Sequence, residues 1–384
     1  MKRKICVVVT ARPSYSRIKS ALTAIKGHAD LELQLVVAAS ALLDRYGKTV
    51  EIIEGDDFDI TERVYMILEG ENLVTSAKST GLGIVELATV FDNLKPDMVV
   101  TIADRYETMA TAIAASYMNI VVAHIQGGEV TGSIDDKVRH AVTKLSNLHF
   151  VSHELASERV IRMGEDPEAV FVTGCPSIDL ASSVLQDPSL SFDPFERYGG
   201  VGASFDYSDG YLVVLQHPVT TEYEHSREHV TETLHAVKTL DIPTFWFWPN
   251  VDAGSDGTSK GIRTFREQEE VPNIHFFKNM KPEDFLKLLY NSKCIVGNSS
   301  VGIRECAFLG VPTVNIGSRQ IGRVRGRNTM DSDEDTTQIA EAIENQVRHG
   351  HYEPDPVYGS GNAGHKIAEL LATQPLVIKK RLTY

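Results

Sequence analysis

Residues 294–327 read CIVGNSSVGIRECAFLGVPTVNIGSRQIGRVRGR. The short apolar run at 294–296 is strand-like, the turn Gly297-Asn298-Ser299-Ser300 is built from small residues, and helix-forming sequence follows. Strand, tight turn and helix start make up the repeating unit of doubly wound α/β sheets. Such a turn offers unpaired N–H groups and the positive end of a helix to an anion. Ser299 and Ser300 place hydroxyls where phosphate oxygens would lie. Gly302 and Glu305 are three apart on one helix face. Gly302 is therefore expected to let a ligand approach the backbone, and Glu305 to accept from a pair of hydroxyls such as a ribose presents. Four arginines follow within residues 319–327: Arg319, Arg323, Arg325 and Arg327. The stretch reads as a site for a nucleoside diphosphate; a solvated or subunit-contact surface is the plainer account of the arginines.

Outward from this stretch the same rhythm continues. In the first half, apolar strands are expected at 5–10, 32–38, 98–102, 120–124, 150–152 and 170–173. Amphipathic helices are expected at 15–26, 80–93, 107–119, 134–147 and 156–163. The second half adds strands at 211–216, 244–248, 273–276, 293–296 and 313–316, with helices near 221–240, 258–270, 282–291, 299–309 and 336–349. Near-continuous β-branched strands separated by helices imply parallel sheets covered on both faces. Residues 186–209, QDPSLSFDPFERYGGVGASFDYSD, are rich in Pro, Gly, Ser and Asp and read as the connection between domains. Two domains follow, 1–185 and 186–361, with the C-terminal 362–384 grouped with the first; the last helix, near 363–373, is free to pack on either. Ligands of such folds bind beyond the carboxyl ends of the strands.

At 384 residues the chain is long enough for two cores, and its 42% hydrophobic content is ordinary for a globular protein. No apolar run approaches the ~20 residues a membrane span needs. The start, MKRKICVVVTA, reads as a first buried strand rather than a secretion signal, since its apolar run is short and leads straight to Arg12. Cys6, Cys175, Cys294 and Cys306 are scattered without metal-ligand spacing, which suits reduced thiols in a cytoplasmic protein. The net charge of −14 argues against nucleic-acid or membrane partners. An anionic substrate must then be drawn in by local arginines.

Polar residues gather just after strands. The first expected strand runs into Arg12 and Arg17, the one at 98–102 into Asp104 and Arg105, and the one at 120–124 into Gln126, Gly127, Gly128 and Glu129. Asp135 and Asp136 open a helix that carries Arg139 and His140; capping would account for the two acids alone. His124 reads as a hydrogen-bonded core histidine, and Asp104 with Arg105 could equally be a structural ion pair. In the second half, 211–216 ends at His217 and 244–248 ends in Pro249 and Asn250. His124, Glu129 and Asp135 lack a metal-ligand spacing, so no metal is expected. Carboxylates, a histidine and a diphosphate site together suit acid–base work on a nucleotide-linked group.

The combination ADRYETMATAIAA (103–115), HIQGGEVTGSIDDKVRHAVTKL (124–145), LQHPVTTEYEHS (215–226), WPNVDAGS (248–255), GNSSVGIRE (297–305) and GSRQIGR (317–323) resembles the UDP-N-acetylglucosamine 2-epimerases. The resemblance is strongest to the hydrolysing branch that makes N-acetylmannosamine for sialic acid synthesis, and it covers nearly the whole chain. It implies the GT-B architecture of two Rossmann-like domains with the site in the cleft between them. It implies anti elimination of UDP across C1–C2 to a 2-acetamidoglucal, then hydration, with no nicotinamide or metal cofactor. By position, Asp104 and Asp135 match two of the family's three catalytic carboxylates and His217 its second-domain histidine. Arg12, Arg105 and Arg139 match lining residues, Ser299 and Ser300 the diphosphate contacts, and Glu305 the ribose ligand. Arg319 and Arg323 fall in a loop that closes near the ligand; Asn250 and Gly302 join the substrate-binding set. The partner is a small-molecule UDP-sugar, and a homodimer or homotetramer is expected.

Two departures stand out. Gln126 replaces a glutamate that many relatives use as third carboxylate, and an amide cannot take a proton; Glu129 is the alternative base. Arg17 stands where relatives often carry lysine. An altered sugar pocket follows, and a substrate such as UDP- or GDP-linked N,N'-diacetylbacillosamine competes with UDP-N-acetylglucosamine. A non-hydrolysing 2-epimerase, a GT-B glycosyltransferase and a non-catalytic nucleotide-sugar sensor are the other readings.

Overall fold

The computed structural model describes residues 2–70, 72–131, 134–249 and 254–383. The apolar runs of the first half become a seven-stranded sheet. Its strands are β1 (Arg3–Val9), β2 (Leu31–Ala38), β3 (Ile60–Val64), β4 (Met98–Ile102), β5 (Val121–Ile125), β6 (Leu148–Val151) and β7 (Val170–Val172). Every ladder is parallel, in the order β3-β2-β1-β4-β5-β6-β7.

Period-two alternation assigns the two faces. Ile5, Val7, Val9, Leu35, Val37, Met98 and Val100 pack under helices Arg12–Gly27 and Ala363–Thr373. Cys6, Val8, Val36, Val99 and Val122 pack with Leu87, Phe91, Ala110 and Ala114 of helices Leu73–Leu94 and Tyr106–Tyr117. The C-terminal helix thus belongs to this sheet, and Gly364 makes the fit: a Cβ there would lie 2.6 Å from the Ser20 backbone.

The second half forms a six-stranded sheet. Its strands are β8 (Leu212–Leu215), β9 (Thr244–Phe247), β10 (Ile274–Phe277), β11 (Cys294–Gly297), β12 (Thr313–Ile316) and β13 (Thr329–Ser332). They too pair in parallel, in the order β10-β9-β8-β11-β12-β13. Leu212, Val214, Trp246, Phe276 and Val296 pack against Val230, Leu234, Ile262 and Ile343 from three helices. Contacts divide the chain into one unit of Met1–Glu129, Ile134–Leu180 and Tyr358–Tyr384 and another of Val130–Ser133 and Ala181–Val357.

One segment gains detail and two expectations change. Within 186–209, Phe195 packs among Phe205, Tyr207, Phe245, His275 and Phe277, and Val201 bridges to Phe276. The segment's aromatic residues make it a cover for the second sheet. The strands β3 and β13 were not anticipated, because both are edge strands whose middle residues face solvent and so lack an apolar run. The helix expected over 299–309 is two short pieces, Ser300–Ile303 and Glu305–Leu309, broken at Arg304.

Each sheet has one switch point, where neighbouring strands send their connections in opposite directions: β1 beside β4 in the first, β8 beside β11 in the second. Crevices at such points are where doubly wound folds bind ligands.

Candidate active site

The first unit gathers its polar residues at the β1/β4 switch point. Beyond β1, Ala11 is extended (φ −156°) and the helix Arg12–Gly27 begins at once, with Pro13 in its first turn. This places Arg12 and Arg17 on the first two turns. Burial lowers the Arg12 guanidinium to about 10. Beyond β4, Ala103 takes a left-handed conformation (φ +67°), and beyond β5 Gln126 does the same (φ +66°). Before turning, each adds one ladder bond: Ala103 N–H to the Ile125 carbonyl and Gln126 N–H to the Phe150 carbonyl, both 2.9 Å. Left-handed backbone at residues with a Cβ costs energy and is concentrated at functional sites.

Asp104 follows directly. Its carboxylate accepts from Nη2 of Arg139, and Nη1 of Arg17 lies 3.8 Å from its other oxygen. Arg139 is 1% exposed and organises the site. Its Nη1 also donates to Asp136 Oδ1 (2.9 Å) and to the Glu129 carbonyl (2.8 Å). Asp135, beside Asp136, opens the helix Ile134–Leu145. Arg105 turns to Glu107, with Nε 3.2 Å from the carboxylate, rather than pairing with Asp104. Glu129 is buried, and its carboxylate accepts from the Ser152 hydroxyl at 2.8 Å. Gln126 is 2% exposed; its Nε2 donates to Cys175 Sγ (2.9 Å), which also meets Ser177 Oγ at 2.9 Å. His124 is a core residue: Nε2 donates to the Ala103 carbonyl (2.8 Å) and Nδ1 faces Thr143 Oγ1 (3.2 Å).

The second unit repeats the plan at β8/β11. His217, 5% exposed, lies just past β8. Past β11, Asn298 pairs with both backbone groups of His217, Oδ1 with its N–H and Nδ2 with its carbonyl, each at 2.8 Å. Ser299 caps the short helix, its Oγ accepting from Val301 N–H. Ser300 Oγ accepts from Arg304 Nη2 (3.1 Å). Glu305 is 6% exposed; its Oε2 makes no hydrogen bond and lies 3.7 Å from Arg304 Nε. Arg319 Nη1 and Gln320 Nε2 both donate to the Asn298 carbonyl (3.1 and 2.8 Å), which docks their loop onto the turn; Arg323 is buried.

Two details of the sequence reading are corrected here. Gly302 makes room for strand packing rather than for a ligand: its Cβ would fall 2.6 Å from Thr313 Cγ2. With only four residues in the helix after Ser299, the helix dipole contributes little, so N–H groups, hydroxyls and guanidiniums must hold an anion. Asn250 lies outside the described residues. Asn298, Arg304, Gln320, Cys175 and Ser177 were overlooked; of these, only the small-residue context of Asn298 marked it in the sequence, and then as turn.

Similarity to known proteins extends over nearly the whole chain. A family model described as UDP-N-acetylglucosamine 2-epimerase matches residues 23–372. The chain is 32% identical over 365 residues to the UDP-N-acetylglucosamine 2-epimerase of Neisseria meningitidis serogroup B, covering 94% of this chain and 92% of the relative. It is also 32% identical over 377 residues to the UDP-N,N'-diacetylbacillosamine 2-epimerase (hydrolyzing) of Legionella pneumophila, covering 98% and 97%. Its fold is similar to that of a crystal structure of the N. meningitidis UDP-GlcNAc 2-epimerase bound to UDP-GlcNAc: TM-score 0.78 and 18% identity over 96% of this chain and 99% of the other. With two Rossmann-like units of the GT-B type, and with matches that span nearly its full length, the chain belongs to the UDP-N-acetylglucosamine 2-epimerase family.

Proposed function

We propose that this chain is a hydrolysing 2-epimerase that converts UDP-N-acetylglucosamine and water to N-acetylmannosamine and UDP. In the elimination the C2–H bond breaks, its electron pair forms C1=C2, and the C1–O bond releases UDP as an anion. Water then adds across the glucal, the hydroxyl at C1 and the proton on the opposite face of C2. The observation that carries this reading is Asp104, set at a switch point between Arg139 and Arg17. The two guanidiniums hold its oxygens in place, and a carboxylate there can take a proton or steady positive character at C1. Asp135 and His217 supply further acid–base groups. Ser299, Ser300, Arg319 and Arg323 hold the departing diphosphate, and Glu305 grips the ribose.

Proton NMR in D2O tests the reading. It expects free 2-epimerised sugar, released UDP and solvent deuterium at C2. Release of nucleotide without C2 exchange would sink it. A product that keeps its UDP linkage would make the enzyme non-hydrolysing, and turnover only with an added acceptor would make it a glycosyltransferase. A second reading is favoured by Gln126, an amide where the family resemblance expects the third carboxylate: the sugar is N,N'-diacetylbacillosamine linked to UDP, as in the name of the Legionella pneumophila relative, or to GDP or UDP, as in that of a Campylobacter jejuni relative. Running both sugars side by side decides between them.

A further inference from the structure

Outside the constellations above, the second unit brings together Glu222, His229 and Glu334. One ligand atom from each lies within 4.8 Å of the others, and His229 Nδ1 is 3.3 Å from a Glu334 oxygen. All three are half-buried. Among the described residues, neither carboxylate has a lysine or arginine partner, so two negative charges face a single imidazole. A second observation comes from the residue beside His229's backbone. Gln216 is 3% exposed, and its amide ends at His229: Nε2 reaches the His229 carbonyl at 3.5 Å, while Oε1 is buried with no hydrogen-bond partner. Thr220 Oγ1, two residues before Glu222, is buried and unpartnered as well. Buried polar atoms left without partners call for an ion or its bound water.

We propose that Glu222, His229 and Glu334 bind one divalent transition metal, Zn2+ or Mn2+. One imidazole nitrogen and two carboxylate oxygens form a borderline donor set, better suited to these ions than to Mg2+ or Ca2+. The Ser318 hydroxyl, which donates to Glu222 Oε1 at 2.6 Å, orients that carboxylate from outside the ligand set. The placement gives the ion a structural task. Glu222 follows His217 by five residues, and Ser318 precedes Arg319 by one. A metal here fastens the segment after β8 and the helix Ser226–Leu240 to the turn after β13, with Glu222 carrying the link on to Ser318, and it takes no part in the elimination.

The test uses the full chain, stripped with a chelator and titrated with ZnCl2 or MnCl2 by calorimetry and by Mn2+ electron paramagnetic resonance. One site per chain is expected, together with a higher Tm when zinc is bound. His229→Ala and the isosteric Glu334→Gln should each weaken binding about 100-fold, since even outer-shell partners are worth about 10–100-fold. His225→Ala, whose ring stacks on His229 at 6.0 Å, should leave binding intact. Melting curves without metal establish that the variants fold. The proposal is overturned if the parent shows no saturable site, if both ligand variants bind as the parent does, or if Ca2+ binds as tightly as Zn2+ and ignores His229→Ala.

Discussion

Asn298 holds His217 by both of its backbone groups, accepting from the N–H and donating to the carbonyl at 2.8 Å each, while its own carbonyl receives Gln320 and Arg319. One residue therefore fixes the histidine, through its side-chain amide, and the arginine loop, through its backbone carbonyl, to the same turn. Asn298→Ala leaves two buried backbone groups unpaired at about 1–3 kcal/mol each, a loss that urea unfolding would register. Asn298→Asp keeps the acceptor but sets an oxygen against the His217 carbonyl, so kcat should fall by more than UDP affinity does. Unchanged turnover in a folded Asn298→Asp protein would mean that the placement of His217 does not matter.

Asp104 and Arg139 separate charge from position. Arg139→Met removes the main partner of a buried carboxylate, and breaking one side of such a pair costs about 3–5 kcal/mol. Asp104→Asn keeps the shape and a hydrogen bond, so stability should change far less while C2 exchange collapses by about 100-fold or more. Thermal melts and deuterium incorporation, measured on both variants, distinguish a structural pair from a working carboxylate.

How legible this was in the sequence depended on where each residue lay. The buried central strands carried their own apolar signal, and the residues just past them, Asp104, Gln126, His217 and Ser299, stood out because strand ends are where such folds place ligands. Edge strands β3 and β13 escaped, since half their residues meet water. Asn298 and Cys175 escaped for another reason: their importance lies in partners 81 and 49 residues away, a spacing that no local pattern reveals. Gly302 misled because a missing side chain signals close approach without saying by what; the structure answers Thr313.

Glu305 and the serines should divide the nucleotide between them. If the Glu305 carboxylate takes ribose hydroxyls, Glu305→Ala removes charge-assisted bonds worth about 1.5–3 kcal/mol, or roughly 10–100-fold, from uridine and UDP alike. Ser299→Ala with Ser300→Ala should weaken UDP and spare uridine. Calorimetry with the two ligands checks the division; equal losses for both ligands in the serine pair would contradict it.

His124 makes the fold acid-sensitive. Burial pushes its imidazole down to about 3, so below the ordinary value of 6.5 the unfolded chain takes up a proton that the native core refuses. Stability should therefore be lost as pH falls from about 6.5 toward 3, by about 1.4 kcal/mol per unit from this residue. Urea midpoints at pH 7, 6 and 5 should decline in the parent and decline less steeply in His124→Gln, even though that variant starts less stable. Parallel slopes would show that the proton is taken up elsewhere.

Gln126 tests the sugar. Its Nε2 donates to Cys175 Sγ, and the Sγ–Oγ contact with Ser177 fixes the thiol in turn. Gln126→Glu exchanges that donor for a carboxylate oxygen, which forces the thiol to become the donor and restores the acid that the family resemblance expects. If residue 126 chooses between sugars, the ratio of kcat/KM for UDP-N-acetylglucosamine over the diacetylbacillosamine nucleotide should rise by about tenfold, or 1.4 kcal/mol. If Gln126 merely fills the core, both substrates should lose activity together and their ratio should hold. Cys175→Ser, which keeps an acceptor near Nε2, should preserve the parent's ratio, whereas Cys175→Ala frees the amide to turn and should move it.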